Sequence, residues 1–157
     1  MYQYVGLIVL FPLIGLLVNG LFGRKIKNET IVGIIGSGAV GLSFLVAAGI
    51  FIEMLGMPAD ARSHVVTLFT WIAAGSFKVS ASYQIDQLSV LMTLVVTGVG
   101  FLIHVYSIGY MHGDRGFWRF FTYLNLFIFA MLNLVLADNY LLMFLGWEGV
   151  GLCSWGL

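Results

Sequence analysis

The 157-residue sequence is 61% hydrophobic and only 9% charged, against about 45–50% and about 25% for soluble domains, which excludes an ordinary soluble domain. Seven Lys and Arg balance seven Asp and Glu, so no basic field exists to hold nucleic acid and each charge is read by its position. A single cysteine, Cys153, excludes an intrachain disulfide framework and a cysteine-rich metal site.

A bilayer core of about 30 Å needs about 20 apolar helical residues, because helices and closed barrels alone satisfy the backbone there. Five runs qualify, approximately Tyr4–Phe22, Ile31–Ile52, Leu88–Ile108, Phe120–Leu136 and Tyr140–Leu157. The predicted fold is an all-α polytopic membrane protein, one membrane domain over 1–157, with an outer loop at 56–84. The first run has no basic residue before it and no small-residue cleavage pattern after it, so it reads as a retained span rather than a signal peptide. Pro12 lies inside that span and removes a backbone donor, which predicts a kink that membrane helices tolerate.

In the second run, Gly36-Ser37-Gly38-Ala39-Val40-Gly41 spells G-x-G-x-x-G after the strand-like Ile31-Val32-Gly33-Ile34-Ile35. The dinucleotide-binding reading of that motif needs a βαβ unit and an acid about 20 residues on. Glu53 is near that spacing, but the intervening stretch is an unbroken apolar run of spanning length. Gly33, Ser37 and Gly41 instead fall at i, i+4 and i+8 on one helix face, a small-residue stripe that lets helices approach closely in lipid.

The loop at 56–84 has strand character. Phe77, Val79, Ala81, Tyr83 and Ile85 alternate with Lys78, Ser80, Ser82, Gln84 and Asp86, a period of two. Val65 to Ile72 is β-branched and aromatic, and Ala73-Ala74-Gly75-Ser76 can turn between the two, which predicts a β-hairpin covering helix ends. Asp86 before the third run and Asp138-Asn139 before the fifth stand where an N-cap belongs.

Orientation follows from the basic residues, since short Lys- and Arg-rich loops stay cytoplasmic. Arg24, Lys25 and Lys27 join the first two runs and Arg115 and Arg119 flank the third connection, against Arg62 and Lys78 in the long loop. This places the N-terminus outside and sends the fifth run inward. That run has no closing polar flank, so the sequence reads as the N-terminal part of a longer protein.

Of the acids, Glu29, Asp60 and Asp114 fall in loops and Glu53, Asp86 and Asp138 at span ends, leaving Glu148 alone at depth. Eight residues beyond Tyr140, it lies roughly 12 Å into the apolar layer. A charge there costs at least about 2.5 kcal/mol, so Glu148 is expected to be buried against protein, water or a cation. A carboxyl held between burial, which favours its neutral form, and a nearby cation, which favours its charged form, changes protonation when that cation's charge changes. That is what a proton relay needs. Gly146, Gly149, Cys153 and Gly156 form a stripe for helix contact, with Glu148 on its flank beside Gly151. The bland alternative is a carboxylate that ties helices together by hydrogen bonds.

No lysine lies inside any of the five runs, so a cation for Glu148 is either Arg119 or a residue elsewhere. His104, toward the inner side of the third run, is a weaker relay candidate because an imidazole titrates near neutrality; a purely hydrogen-bonded role is the equal alternative. His64 and His112 have no ligand-like spacing, and no metal site, catalytic triad or phosphate loop is found.

Gly146-Trp147-Glu148-Gly149-Val150-Gly151-Leu152-Cys153-Ser154, His104-Val105-Tyr106-Ser107-Ile108-Gly109-Tyr110-Met111-His112-Gly113-Asp114, Asp86-Gln87-Leu88-Ser89 and Phe120-Phe121-Thr122-Tyr123-Leu124-Asn125-Leu126-Phe127 closely resemble subunit L, or chain 5, of respiratory NADH:quinone oxidoreductase (complex I). The resemblance implies an antiporter-like, proton-translocating membrane subunit in which the carboxylate at Glu148 is coupled to lysines on later helices. It implies no cofactor in this chain, with NADH, FMN, iron–sulfur clusters and quinone on other subunits, and those membrane subunits and the lipid bilayer as partners. It implies an inner membrane, that of a bacterium ahead of that of a mitochondrion, and a length of several hundred residues. Trp155-Gly156 depart from the family's aromatic followed by a bulkier aliphatic. The rival functions are the large subunit of a multisubunit Na⁺/H⁺ antiporter and, in another class, a structural membrane scaffold.

Overall fold

The computed structural model describes residues 2–26, 28–58 and 61–157; Lys27, Asp60 and the side chain of Phe77 lie outside the described residues. A 3-10 turn at Tyr2–Tyr4 leads into α1 (Val5–Phe22), followed by α2 (Glu29–Leu55), strands β1 (His64–Ala74) and β2 (Phe77–Ile85), then α3 (Gln87–Tyr110), α4 (Phe117–Leu136) and α5 (Tyr140–Gly156). Four of the helices, α1 with its leading turn, α2, α3 and α4, are long and apolar enough to cross a membrane; α5 has 17 residues. The architecture is the all-α polytopic one with a small hairpin inserted, and the G-x-G-x-x-G stretch lies in the middle of α2 rather than between a strand and a helix.

Local rules account for the helix starts. Asn28 caps α2, its side chain accepting from Thr30 N at 2.9 Å. Asp86 caps α3 in a capping box: its Oδ1 accepts from Ser89 N at 2.7 Å while its own N–H donates to Ser89 Oγ at 2.8 Å. For α5 the cap is Asn139, which accepts from Leu142 N at 3.0 Å. Asp138 does a different job, accepting from Ser82 Oγ at 2.9 Å.

α1 runs unbroken through Pro12, and the reason lies on α2. Proline has no N–H, so the carbonyl of Ile8, four residues earlier, loses its helical donor. The Ser43 hydroxyl donates to Ile8 O at 2.8 Å from a fully buried position, supplying from the neighbouring helix what the proline removed. Ser43→Ala is expected to destabilise the fold by about 1–3 kcal/mol by orphaning that carbonyl. In a Pro12→Ala background, where α1 regains its own N–H, the same change should cost much less. A double-mutant cycle on detergent-solubilised thermal stability checks this, and additive effects would refute the assignment.

Glycines set the helix spacing. A Cβ on Gly33 would meet Ile108 at 2.8 Å, and one on Gly41 would meet Phe101 at 3.1 Å, so the Gly33-Ser37-Gly41 face is where α2 receives α3. α3 turns its polar side chains inward: Ser89, Thr93, Thr97, His104 and Ser107 are buried, while Leu91, Val95, Val99, Leu102 and Tyr106 are exposed. Most of the inward hydroxyls close onto their own helix, Thr97 onto Thr93 O at 2.7 Å and Ser107 onto Ile103 O at 2.8 Å, as polar groups in lipid require.

β1 and β2 pair antiparallel from His64↔Ile85 to Ala74↔Phe77, turning at Gly75, whose φ of 59° favours glycine. Only β2 is covered at its membrane end. Ala81, Ser82, Tyr83 and Ile85 are buried, so the period of two gives way there because Ser82 faces Asp138 rather than water. The Tyr83 hydroxyl donates to Asn133 Oδ1 on α4 at 2.8 Å, and Asn139 Nδ2 donates to Ser80 O at 2.8 Å. Burial pushes the Tyr83 phenol up to about 12, so it stays a protonated donor at neutral pH. The hairpin is thereby stitched to the α4–α5 junction, while β1 presents Phe69 and Trp71 outward.

Candidate functional site

α5 docks along α4 on the small-residue stripe. A Cβ on Gly146 would lie 2.6 Å from the backbone N of Leu134, one on Gly149 2.8 Å from Ala130 Cβ, and one on Gly156 2.5 Å from the Tyr123 ring. Cys153, on the same face, is fully buried. The helix therefore approaches with almost no side-chain spacer, and its other flank is open.

Glu148 stands on that open flank. The expectation of a buried carboxylate is corrected here: Glu148 is exposed, because the glycine stripe turns the opposite side of α5 onto α4. Its neighbours Phe144, Trp147 and Leu152 are exposed as well, and the position of Gly151 has nothing within 4 Å of a would-be Cβ. No hydrogen-bond or ion-pair partner to Glu148 is found among the described residues. Glu148 stands eight residues into α5, roughly 12 Å along its axis, and a carboxylate so far along a membrane-spanning helix would be poorly tolerated against lipid.

Arg119, the one cation of this chain considered for it, does not reach it. Arg119 lines a cleft of about 420 Å³ with Asp114, Tyr123, Trp155 and Leu157, at the level of the end of α5. Trp155 lies seven residues beyond Glu148, about 10 Å along the axis.

His104 is placed elsewhere. It is 1% exposed, and its ring meets Phe121 edge-on at 6.0 Å between centroids. One ring nitrogen, Nδ1, is 2.7 Å from Gly100 O on its own helix, which fixes it as the protonated donor, while Nε2 is buried without a partner among the described residues. Its groove, about 310 Å³ between α3 and α4, is lined otherwise by apolar side chains such as Val96, Leu124, Phe127 and Met131. The structure does not bring His104 and Glu148 together into one site.

Sequence reasoning passed over a polar group at the α1–α2–α4 contact. Asn19 and Asn125 are fully buried, and a Cβ on Gly36 would meet Asn125 Nδ2 at 2.9 Å and Asn19 Nδ2 at 3.2 Å. Asn19 donates to Val32 O and Asn125 to Phe121 O, while both side-chain oxygens lack partners among the described residues. The available signal was the asparagine itself, a costly residue inside an apolar run that belongs at a helix contact.

Comparison with known proteins accords with this geometry. Residues 71–121 match the family described as NADH-ubiquinone oxidoreductase (complex I), chain 5 N-terminus, the stretch from the hairpin through α3 into α4. Relatives named NADH-quinone oxidoreductase subunit L are 47% identical in Pseudomonas aeruginosa over 93% of this chain, 47% in Escherichia coli over 96%, and 45% in Mycobacterium tuberculosis over 98%. The chain spans about a quarter, 24%, of the length of each of these relatives. With relatives 45–47% identical over 93–98% of its length, the chain belongs to the subunit L, or chain 5, family of NADH:quinone oxidoreductase.

Proposed function

We propose that this chain contributes to a proton-translocating membrane subunit of NADH:quinone oxidoreductase in a bacterial inner membrane, with Glu148 as a proton-relay carboxylate. The observation that carries the reading is the placement of Glu148: an acid in the middle of α5, pointed away from α4, the helix that α5 docks on. α5 then serves as a fifth crossing, entering from the hairpin side, with Arg24, Lys25, Arg115 and Arg119 on the cytoplasmic side. A lysine on another helix of the subunit faces the open flank of α5 and sets the protonation of Glu148 through its own charge. The redox groups, NADH, FMN, iron–sulfur clusters and quinone, reside on other subunits, so electron transfer acts on Glu148 only through charge and conformation. His104 is assigned to packing here, its Nδ1 hydrogen-bonded within α3.

The rival Na⁺/H⁺ antiporter reading would use a similar carboxylate without quinone chemistry. Affinity purification of the tagged full-length protein from native membranes separates the two. NADH-dependent quinone reduction is expected to co-purify at a constant ratio to the tag, and its absence from an intact assembly would rule out the complex I assignment.

A further inference from the structure

The end of the bundle opposite the hairpin carries more positive charge than its own acids use. Four cations, Arg24, Lys25, Arg115 and Arg119, stand there against two acids, Glu29 and Asp114, among the described residues. Arg24 and Arg115 line one cleft of about 550 Å³, formed by the turn after α1, the first turn of α2, and the start of α4.

Both acids border the same cleft, yet each is held by other groups. Glu29 Oε2 accepts from the backbone N–H of Gly113 at 3.2 Å and lies 2.9 Å from His112 Nδ1. Asp114 Oδ1 accepts from Gly116 N at 2.5 Å. Neither carboxylate is within ion-pair distance of Arg24 or Arg115, and neither arginine has a partner among the described residues. The floor of the cleft is apolar: Ile26, Val32, Phe117 and Trp118 border it and belong to one cluster packed around Phe121.

An apolar floor rimmed by two guanidiniums, at the membrane–water boundary of a helix bundle, has the chemistry of a phospholipid seat. A guanidinium binds phosphate oxygens in a bidentate fork, the indole of Trp118 prefers the headgroup level, and the floor accepts the glycerol and first methylenes. Basic pockets between spanning helices are where anionic headgroups are recognised. From this geometry we infer that the Arg24–Arg115 cleft binds the headgroup phosphate of an anionic phospholipid. The bound lipid completes the charge balance of this end and bridges the α1–α2 turn to the α3–α4 loop.

The test uses the full-length protein in its assembled complex, with a photoreactive benzoylphenylalanine at Trp118, reconstituted in vesicles of phosphatidylcholine containing one-fifth phosphatidylglycerol. Lipid adducts are identified by mass spectrometry after illumination. Phosphatidylglycerol adducts should exceed their mole fraction about fivefold or more, one arginine near an anionic surface contributing about that factor. The pair Arg24→Gln/Arg115→Gln should return the ratio to the mole fraction. Arg24→Lys/Arg115→Lys, keeping charge but losing the fork, should retain part of the preference, and both pairs are exposed changes that leave the core intact. Adducts at the mole fraction in the parent protein, or an enrichment unmoved by the Gln pair, would overturn the site. Loss of the lipid adduct in excess inorganic phosphate at constant ionic strength would assign the cleft to free phosphate and overturn the lipid.

Discussion

Glu148→Gln in the full-length subunit is expected to abolish proton movement through this subunit while NADH oxidation and assembly persist. The amide keeps the shape and much of the hydrogen bonding of the carboxylate but has no proton to exchange near neutral pH, so loss through this route is complete rather than graded. Glu148→Asp keeps the titratable group and withdraws it by one methylene, and a misplacement of about 1 Å slows a positioned transfer by up to about 10²-fold. The measurement is NADH-driven proton uptake per electron in sealed vesicles, with assembly checked on native gels. Equal uptake per electron in parent and Gln variants would end the relay assignment. A Gln variant that fails to assemble would favour the scaffold alternative, in which the carboxylate only locks helices. The exposed setting of Glu148 in this chain argues against assembly loss, because it has no hydrogen-bond or ion-pair partner among the described residues.

Gly146→Ala should be among the most damaging single-methyl changes in the chain. The added Cβ would lie 2.6 Å from Leu134 N, 2.9 Å from Leu134 Cα and 2.9 Å from Ala130 O. All three are backbone atoms of α4, which no rotamer change can move. The two helices have to separate, costing about 1–3 kcal/mol for the overpacking alone, and the Ala130–Gly149 contact opens with them. Gly38→Ala is the matched control, with nothing within 4 Å of its Cβ position and an exposed site. There the substitution removes a helix-interior glycine and should stabilise by about 0.5–1 kcal/mol. Opposite shifts of the melting temperature in detergent are expected for the two variants. A Gly146→Ala protein as stable as its parent would mean that α5 does not sit on α4 at this distance.

Length and hydropathy made the helices legible, because lipid imposes a minimum run of apolar residues, and the hairpin announced itself by its period of two and by Gly75. The stripe on α5 was legible for the same reason: glycine at i, i+3 and i+10 has no other use in a buried helix face. The side of α5 that carries Glu148 was harder to read. Cost arguments say what a carboxylate avoids, not which neighbour shields it, and depth alone suggested burial that these residues do not provide. Asp138 shows a similar limit. Standing next to an N-cap, it looked like one, and only the approach of β2 gave it Ser82 instead. Long-range partners such as Ser43 for Pro12, Asn133 for Tyr83 and Glu29 for His112 depend on how helices cross. No local pattern encodes that.

The inward polar face of α3 constrains how this bundle can move. Ser89, Thr93, Thr97, His104 and Ser107 extend over 19 residues, about 27 Å of helix, nearly the depth of the hydrocarbon layer. Half a revolution about its axis would turn all of them out of this bundle and bring Leu91, Val95 and Leu102 inward. Rotation of α3 against α1, α2 and α4 is therefore disfavoured. Tilting, or sliding along its own length past the glycines of α2, are the motions left to it.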